Sequence, residues 1–288
     1  MDDELFAALY HIAGQLWPQR EKRVQFAGRT IVLLYLWSAI RGKPRGWVCH
    51  RCNLPRLLQE TPLPSPSQFR RRLKAPETQA LLDELETHLR GRPPDRLLGC
   101  WLLDAKPLVV SPYSKDRSAK WGWAYNGKAR GYKVFALSDL QGRIVAWQTH
   151  PMNAAEPLVA RTLLEQTDRP GYVLGDSIYD SGPLYELTAA RNLQLLAPRK
   201  EPGGNIAKGA RQPTRLHAIA MLETFANLFG PELYACRTTI ERVFSRLASS
   251  RIGLDHLPSF VRTPERVHLW VQGKIILYSV LQKKDLQQ

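Results

Sequence analysis

The sequence has 288 residues, 44% hydrophobic and 23% charged, a composition of soluble globular proteins and enough length for one large domain or two ordinary ones. Lys and Arg outnumber Asp and Glu by 41 to 26, a formal charge of +15 spread over both halves, so an acidic polymer is the natural partner. The longest strongly apolar run, TIVLLYLWSAI at 30–40, is too short to cross a bilayer, and the acidic start Met1-Asp-Asp-Glu lacks a signal-peptide pattern, which predicts a cytoplasmic protein without a membrane partner.

The first third reads as helical. Apolar residues recur at helical spacing from Asp3 to Leu16, a longer apolar helix runs from Phe26 to Ile40, and Gly42-Lys-Pro-Arg-Gly46 breaks it. Cys49-x-x-Cys52 brackets His50 without a second pair at zinc-ligand spacing, and with Cys100 and Cys236 these are expected to be reduced structural thiols. Ser65, Pro66 and Gln68 form a capping box for a short helix. Phe69 and Leu73 would face inward, and Arg70, Arg71, Arg72 and Lys74 would occupy its exposed faces, either as a solvated surface or as a recognition helix for DNA. A helix from Glu77 to Leu89 follows, then a linker at Gly91-Arg-Pro-Pro-Asp95, which predicts domains at 1–95 and 96–288.

The next strand-like run, Cys100 to Val110, contains a lone carboxylate, Asp104. Asp is disfavoured in strands, and a buried unpaired carboxylate costs several kcal/mol, so a compensating group is expected. From Ser114 to Tyr132, Lys115, Arg117, Lys120, Lys128 and Arg130 alternate with Trp121, Trp123 and Tyr125 around an Asn126-Gly127 turn. This predicts an exposed two-stranded lobe suited to distorted or single-stranded nucleic acid, with core packing of the two Trp as the alternative. Strands at 133–140 and 143–149, a helix at 155–166, a strand at 172–175 ending before Asp176, a helix at 181–191 and a strand at 193–198 complete a mixed sheet of five strands with helices on both faces. A polar loop spans 201–212. Helices are expected at 213–228 and 232–249, and a last one from Thr263-Pro264 to Leu281 packs on the sheet or on preceding helices.

Asp104 and Asp176 would then lie on adjacent parallel strands, at the sheet edge where open α/β folds place their sites. Tyr234, Arg237 and Glu241 are spaced to share one face of a single helix. Each acid also has a plainer role open to it: Asp176 as an N-cap, Glu241 as the ion-pair partner of Arg237, Asp104 as an acceptor from backbone. Brought together, three carboxylates repel one another, and hard divalent cations such as Mg²⁺ or Mn²⁺ resolve that repulsion.

The stretches Leu102-Leu-Asp104-Ala-Lys-Pro, Gly175-Asp176-Ser-Ile-Tyr179-Asp180 and Tyr234-x2-Arg237-x3-Glu241 resemble the DDE transposases of bacterial insertion sequences, the last of them the Tyr-Arg-Glu-Lys signature group. Ala248 stands where that signature has Lys, with Arg246 or Arg251 as substitutes for its phosphate contact. Ser177 follows Asp176 where relatives often carry a basic residue, and the 64 residues between Asp176 and Glu241 leave no room for a large β-rich insertion. The resemblance implies an α/β ribonuclease-H-like catalytic domain preceded by a small all-α, helix-turn-helix-like end-binding domain. It further implies catalytic, metal-binding acids Asp104, Asp176 and Glu241, two Mg²⁺ or Mn²⁺ ions, and phosphate contacts by Tyr234, Arg237 and Lys106. The implied partners are double-stranded DNA, both terminal inverted repeats and target, with a homodimer assembled on it. A nuclease of this fold that cleaves without joining and a DNA-binding regulator are the competing expectations.

Overall fold

A computed structural model describes residues 2–18, 25–91, 98–125, 127–167, 169–201, 212–223 and 229–285. Residues 92–95 of the expected linker, Asn126 of the expected turn and 202–211 of the expected loop lie outside them. The chain forms two compact units, Pro93–Arg246 and a discontinuous one made of Met1–Arg92 with Leu247–Gln288.

The continuous unit is built on a mixed sheet of six strands: β1 (Gly99–Val109), β2 (Lys120–Ala124), β3 (Gly127–Asp139), β4 (Ile144–Pro151), β5 (Gly171–Leu174) and β6 (Leu193–Leu196). Their order is β2-β3-β1-β5-β6, with β4 also paired to β3. One strand more than expected is present because β3 is a single long strand. Its first residues pair with β2 and its later ones with β4, so the aromatic hairpin is continuous with the main sheet. β1 runs antiparallel to β3 and parallel to β5, and β5 is parallel to β6. Helices α5 (Glu156–Leu164), α6 (Gly182–Ala190) and α7 (Pro213–Glu223) pack on this sheet, consistent with the ribonuclease-H-like architecture.

The helix expected across 232–249 is two helices, α8 (Phe229–Ala235) and α9 (Thr238–Ala248). Between them Arg237 N–H bonds Tyr234 O at 2.9 Å and Thr239 N–H bonds Cys236 O at 3.0 Å, the tight three-residue pattern of a helix end. The Thr238 hydroxyl donates to Ala235 O at 3.0 Å, offering that carbonyl a partner in place of an amide farther along the chain. Tyr234, Arg237 and Glu241 therefore do not share one helical face.

In the other unit, α1 (Asp2–Leu16), α2 (Gly28–Ile40), α3 (Pro66–Leu73) and α4 (Pro76–Arg90) surround a core shared with α10 (Pro264–Asp285). α2 is apolar all round and buried from Ile31 to Ala39, as a central helix must be. α10 joins this helical unit and is anchored by polar clamps. Gln272 donates to Asp83 at 2.7 Å and Glu86 at 3.2 Å, and the Tyr35 hydroxyl donates to Leu269 O. Gly273 lets α10 approach α2, since a Cβ there would stand 2.8 Å from the Tyr35 hydroxyl oxygen. The predicted capping box of α3 forms, with Ser65 N–H bonded to Gln68 Oε1 at 2.9 Å and Gln68 N–H to Ser65 Oγ at 3.3 Å.

Lys274 is buried in α10, donating to Ala39 O at 2.7 Å and to Ile252 O, with its ammonium 4.6 Å from the Trp270 ring centre. Burial pushes its pKa down from 10.5 to about 8. The folded state thus releases this proton before the unfolded state does. Its charge weakens folding fully below pH 8, and stability recovers as pH rises from 8 towards 10.5. The melting temperature of the native chain, minus that of Lys274→Met, is expected to rise between those pH values; a flat difference contradicts the burial.

Candidate active site

Asp104 sits near the middle of β1, opposite Ala136 of β3. The parallel pairing of β1 with β5 ends at Leu102 opposite Leu174, and two further steps along each chain arrive at Asp104 and Asp176. Because side chains alternate along strands, Asp104 keeps the face of Leu102, and the two acids emerge beside each other where β5 has ended. Asp104 Oδ1 accepts its neighbour's Ala105 N–H at 2.9 Å, and Oδ2 lies 3.3 Å from Arg237. Only 16% of its side chain is exposed, and burial raises its pKa to about 6. Arg237 and the Ala105 amide pull it down, while Asp176 and Glu156 push it up.

Asp176 terminates β5 and caps the short 3₁₀ turn Ser177–Tyr179, accepting Ile178 N–H at 2.9 Å. The turn folds back so closely that a Cβ on Gly175 would meet the Tyr179 ring at 2.8 Å, which requires glycine before the acid. Tyr234, on α8, ties this corner down by donating to Gly175 O at 3.2 Å.

Glu241, on α9, is exposed and accepts from Arg237 at 2.8 Å. Arg237 itself, in the turn before α9, is largely enclosed and bridges Glu241 and Asp104. Burial disfavours its charge, but Asp104, Tyr234, Asp176 and Glu241 together outweigh that and raise its pKa. The three plainer roles are therefore all occupied: a backbone acceptor, a cap and an ion pair. They are occupied within one electrostatic neighbourhood, centred on one guanidinium. No three acidic, His or Cys side chains among the described residues stand close enough to share an ion. The donor chemistry is nonetheless of the kind hard divalent cations take, carboxylate oxygens of which the most enclosed, Asp104, is lifted towards neutrality mainly by burial and further by Asp176 and Glu156.

Two buried ion pairs flank these acids and were not singled out from sequence. Lys133 of β3 donates to Glu156, at the start of α5, at 2.6 Å, and Glu156 also accepts from the Tyr179 hydroxyl at 3.2 Å. A Lys inside the apolar run of β3 was the available signal, of the same kind as Asp104 in β1. Asp180 is held by two bonds of 2.7 Å from Arg215 on α7, so the second acid of its motif is a structural one.

The candidate nucleic-acid contacts divide. Trp121, Trp123 and Tyr125 are 65%, 68% and 70% exposed, which removes the core-packing alternative for the two Trp, and Lys120 and Lys128 are exposed beside them. Arg130 is a correction: its guanidinium is turned inward to Ala119 O and Ser114 O, each at 3.0 Å, and to Asp116 O, bracing the loop that enters β2. Lys106 faces the same side as Asp104 but is buried, its ammonium 3.2 Å from the Tyr125 hydroxyl. In α3, Arg70 and Arg71 are exposed as expected. Arg72 is not: it is half-buried and donates to Phe26 O at 3.1 Å. Lys74 is exposed and paired with Glu265 at 2.8 Å. Arg246 and Arg251 are exposed, and Ala248, at the signature Lys position, is half-buried.

The family described as transposase DDE domain matches residues 97–280. No curated protein matches the chain.

The two acids of the 176–180 motif should respond oppositely to neutralisation. Asp180→Asn removes the buried charge to which Arg215 makes two bonds and is expected to cost about 3 kcal/mol. Asp176→Asn keeps a side chain that caps equally well and should change stability by less than about 0.5 kcal/mol. Urea unfolding of both variants decides; equal losses contradict the division of roles.

Proposed function

The chain belongs to the transposase DDE domain family, and from that premise we propose that it is the transposase of an insertion sequence. It binds the terminal inverted repeats of its element, cleaves DNA at the ends and joins the 3′-OH ends to target DNA. The observation that carries this reading is the convergence of Asp104, Asp176 and Glu241 on the Arg237 guanidinium. Elements far apart in sequence supply these acids: strand pairing brings Asp176 beside Asp104, and nothing in the folding of the sheet demands that Arg237 and Glu241 join them.

Family members work with divalent metal ions. In this chain Asp104, Asp176 and Glu241 would hold two, Mg²⁺ or Mn²⁺. Cations so held activate water or a 3′-OH and stabilise the leaving 3′ oxygen. Arg237, released from its carboxylates, would offer DNA phosphate a fork matched to phosphate oxygens. Tyr234 fixes the β5 corner that presents Asp176. The Lys133–Glu156–Tyr179 network supports that corner from below and keeps Glu156 out of the donor set. Lys106 is already close to Tyr125 and acts by positioning the aromatic hairpin.

The exposed Trp121, Trp123 and Tyr125, with Lys120 and Lys128, form the stacking and charged surface that would hold distorted DNA near a cut. Arg70 and Arg71 are the cations of α3 available to phosphates or guanine edges in the end-binding step. Pairing two element ends calls for a homodimer on DNA. This activity places the protein in the cytoplasm, on the nucleoid.

Incubated with Mg²⁺ or Mn²⁺ and a fragment spanning the junction of terminal repeat and flanking DNA, the protein is expected to produce one discrete nick at the junction and, with target present, joined products. Asp176→Asn should abolish both while retaining end binding. A nick without joining would assign a simple nuclease, and binding without a nick under either metal would assign a regulator. Asp104 must be ionised to hold a cation, so at limiting metal the nicking rate should fall as pH drops through about 6. Excess metal should move that fall to lower pH.

A further inference from the structure

A cavity of about 400 Å³ opens in the helical unit between the end of α2, the Lys43–Gly46 stretch, the first turn of α3 and the start of α10. Its rim carries Lys43, Arg45, Arg70 and Arg266, and no carboxylate lines it. None of the four cations has a hydrogen bond or ion pair with another described residue. The nearby Glu265 is already paired with Lys74 at 2.8 Å. Burial pushes the pKa of Arg45 down, Tyr35 and Glu265 oppose that, and the like charges of Arg266 and Arg70 add to it. Side chains that repel one another around an opening, with no carboxylate on its lining and the nearby Glu265 already paired with Lys74, form a site for an anion from outside.

The floor has the opposite character. Tyr35, Leu269 and Trp270 are buried, and Phe260 meets Trp270 edge-on at 5.6 Å and 83°. An inorganic phosphate would fill a small part of such a volume and leave this aromatic floor wet. A purely apolar ligand would leave four cations unanswered. A ligand carrying both a phosphate and a flat aromatic group satisfies both parts.

We propose that this cavity is a nucleotide pocket, in which Arg45, Arg70 and Arg266 hold the phosphate and the Phe260–Trp270 floor takes the base. The source of the nucleotide rests on the proposed function: it is a nucleotide left unpaired in bound DNA. Arg70 then has two duties, since the helix that carries it also carries Arg71 on its exposed face. A free nucleoside monophosphate offers the same chemistry, and the test separates the two sources.

Asp176→Asn protein without metal, so that no strand is cut, is titrated with three probes: a paired duplex of the element end, the same duplex with one extra unpaired adenosine, and 2′-deoxyadenosine 5′-monophosphate. The bulged duplex is expected to bind about tenfold more tightly than the paired one, the size of one base–aromatic stack. Phe260→Ala, and separately Arg45→Gln with Arg266→Gln, should abolish the preference, with an unchanged melting temperature showing that each variant is folded. Monophosphate binding that disappears in the same variants, without a preference for the bulge, keeps the nucleotide pocket and assigns it to free nucleotide. Equal affinity for both duplexes together with no monophosphate binding overturns the pocket and leaves the proposed function standing. Failure to bind any DNA counts against the proposed function, and the monophosphate arm still decides the pocket.

Discussion

The site depends on one guanidinium. Asp104 is enclosed by the sheet, Asp176 emerges beside it, and Glu241 comes from a helix that begins only after a break in the chain. Without a counter-charge this gathering of carboxylates would be opposed by desolvation and by mutual repulsion. Arg237 supplies that charge, lying 3.3 Å from Asp104 and 2.8 Å from Glu241. In the proposed mechanism it holds the acids in place until cations replace it. The same side chain can then serve two states, as the counter-ion of the acids and as a phosphate contact. An alkyl ammonium in its place would lack the planar fork that spans two carboxylates.

Geometry of the sheet does the rest. A parallel pair whose register ends at Leu102 and Leu174 fixes where the next residues of both chains go, so the placement of Asp176 beside Asp104 follows from strand pairing. The corner after β5 is held by three local devices: a glycine that admits the Tyr179 ring, a 3₁₀ turn capped by Asp176, and the Tyr234 hydroxyl on Gly175 O. Beneath it, the Lys133–Glu156 pair is the polar interior that such a corner needs, every partner satisfied within the network.

Much of this was legible in the sequence, for identifiable reasons. A carboxylate in an apolar strand is a costly choice that announces Asp104, and strand–helix alternation fixed the parallel neighbour that ends at Asp176. The capping box at Ser65 is local chemistry and formed as spelled out. What escaped were features decided by tertiary contact. The break at Cys236–Arg237 is set by a Thr238 hydroxyl and tight amide bonds, weak signals inside a helical pattern. Whether an arginine points outward cannot be read from its neighbours: Arg130 and Arg72 found backbone carbonyls, while Arg70 and Arg71 did not. The end of the chain joins the N-terminal helices through α10, because an apolar pattern says that a helix is buried and leaves open against what. Lys133 in an apolar strand was a signal that a partner was needed, but that the partner is Glu156 is decided only by the fold.

The most direct test of the central claim, that these acids form one cation site from which Arg237 is displaced, is a Mn²⁺ titration read by electron paramagnetic resonance without DNA. The native chain is expected to deplete free Mn²⁺, and Asp104→Asn, Asp176→Asn and Glu241→Gln should each remove that binding. Replacing Arg237 with Gln should leave it intact or strengthen it. Mn²⁺ binding unchanged by all three acid substitutions would contradict the account.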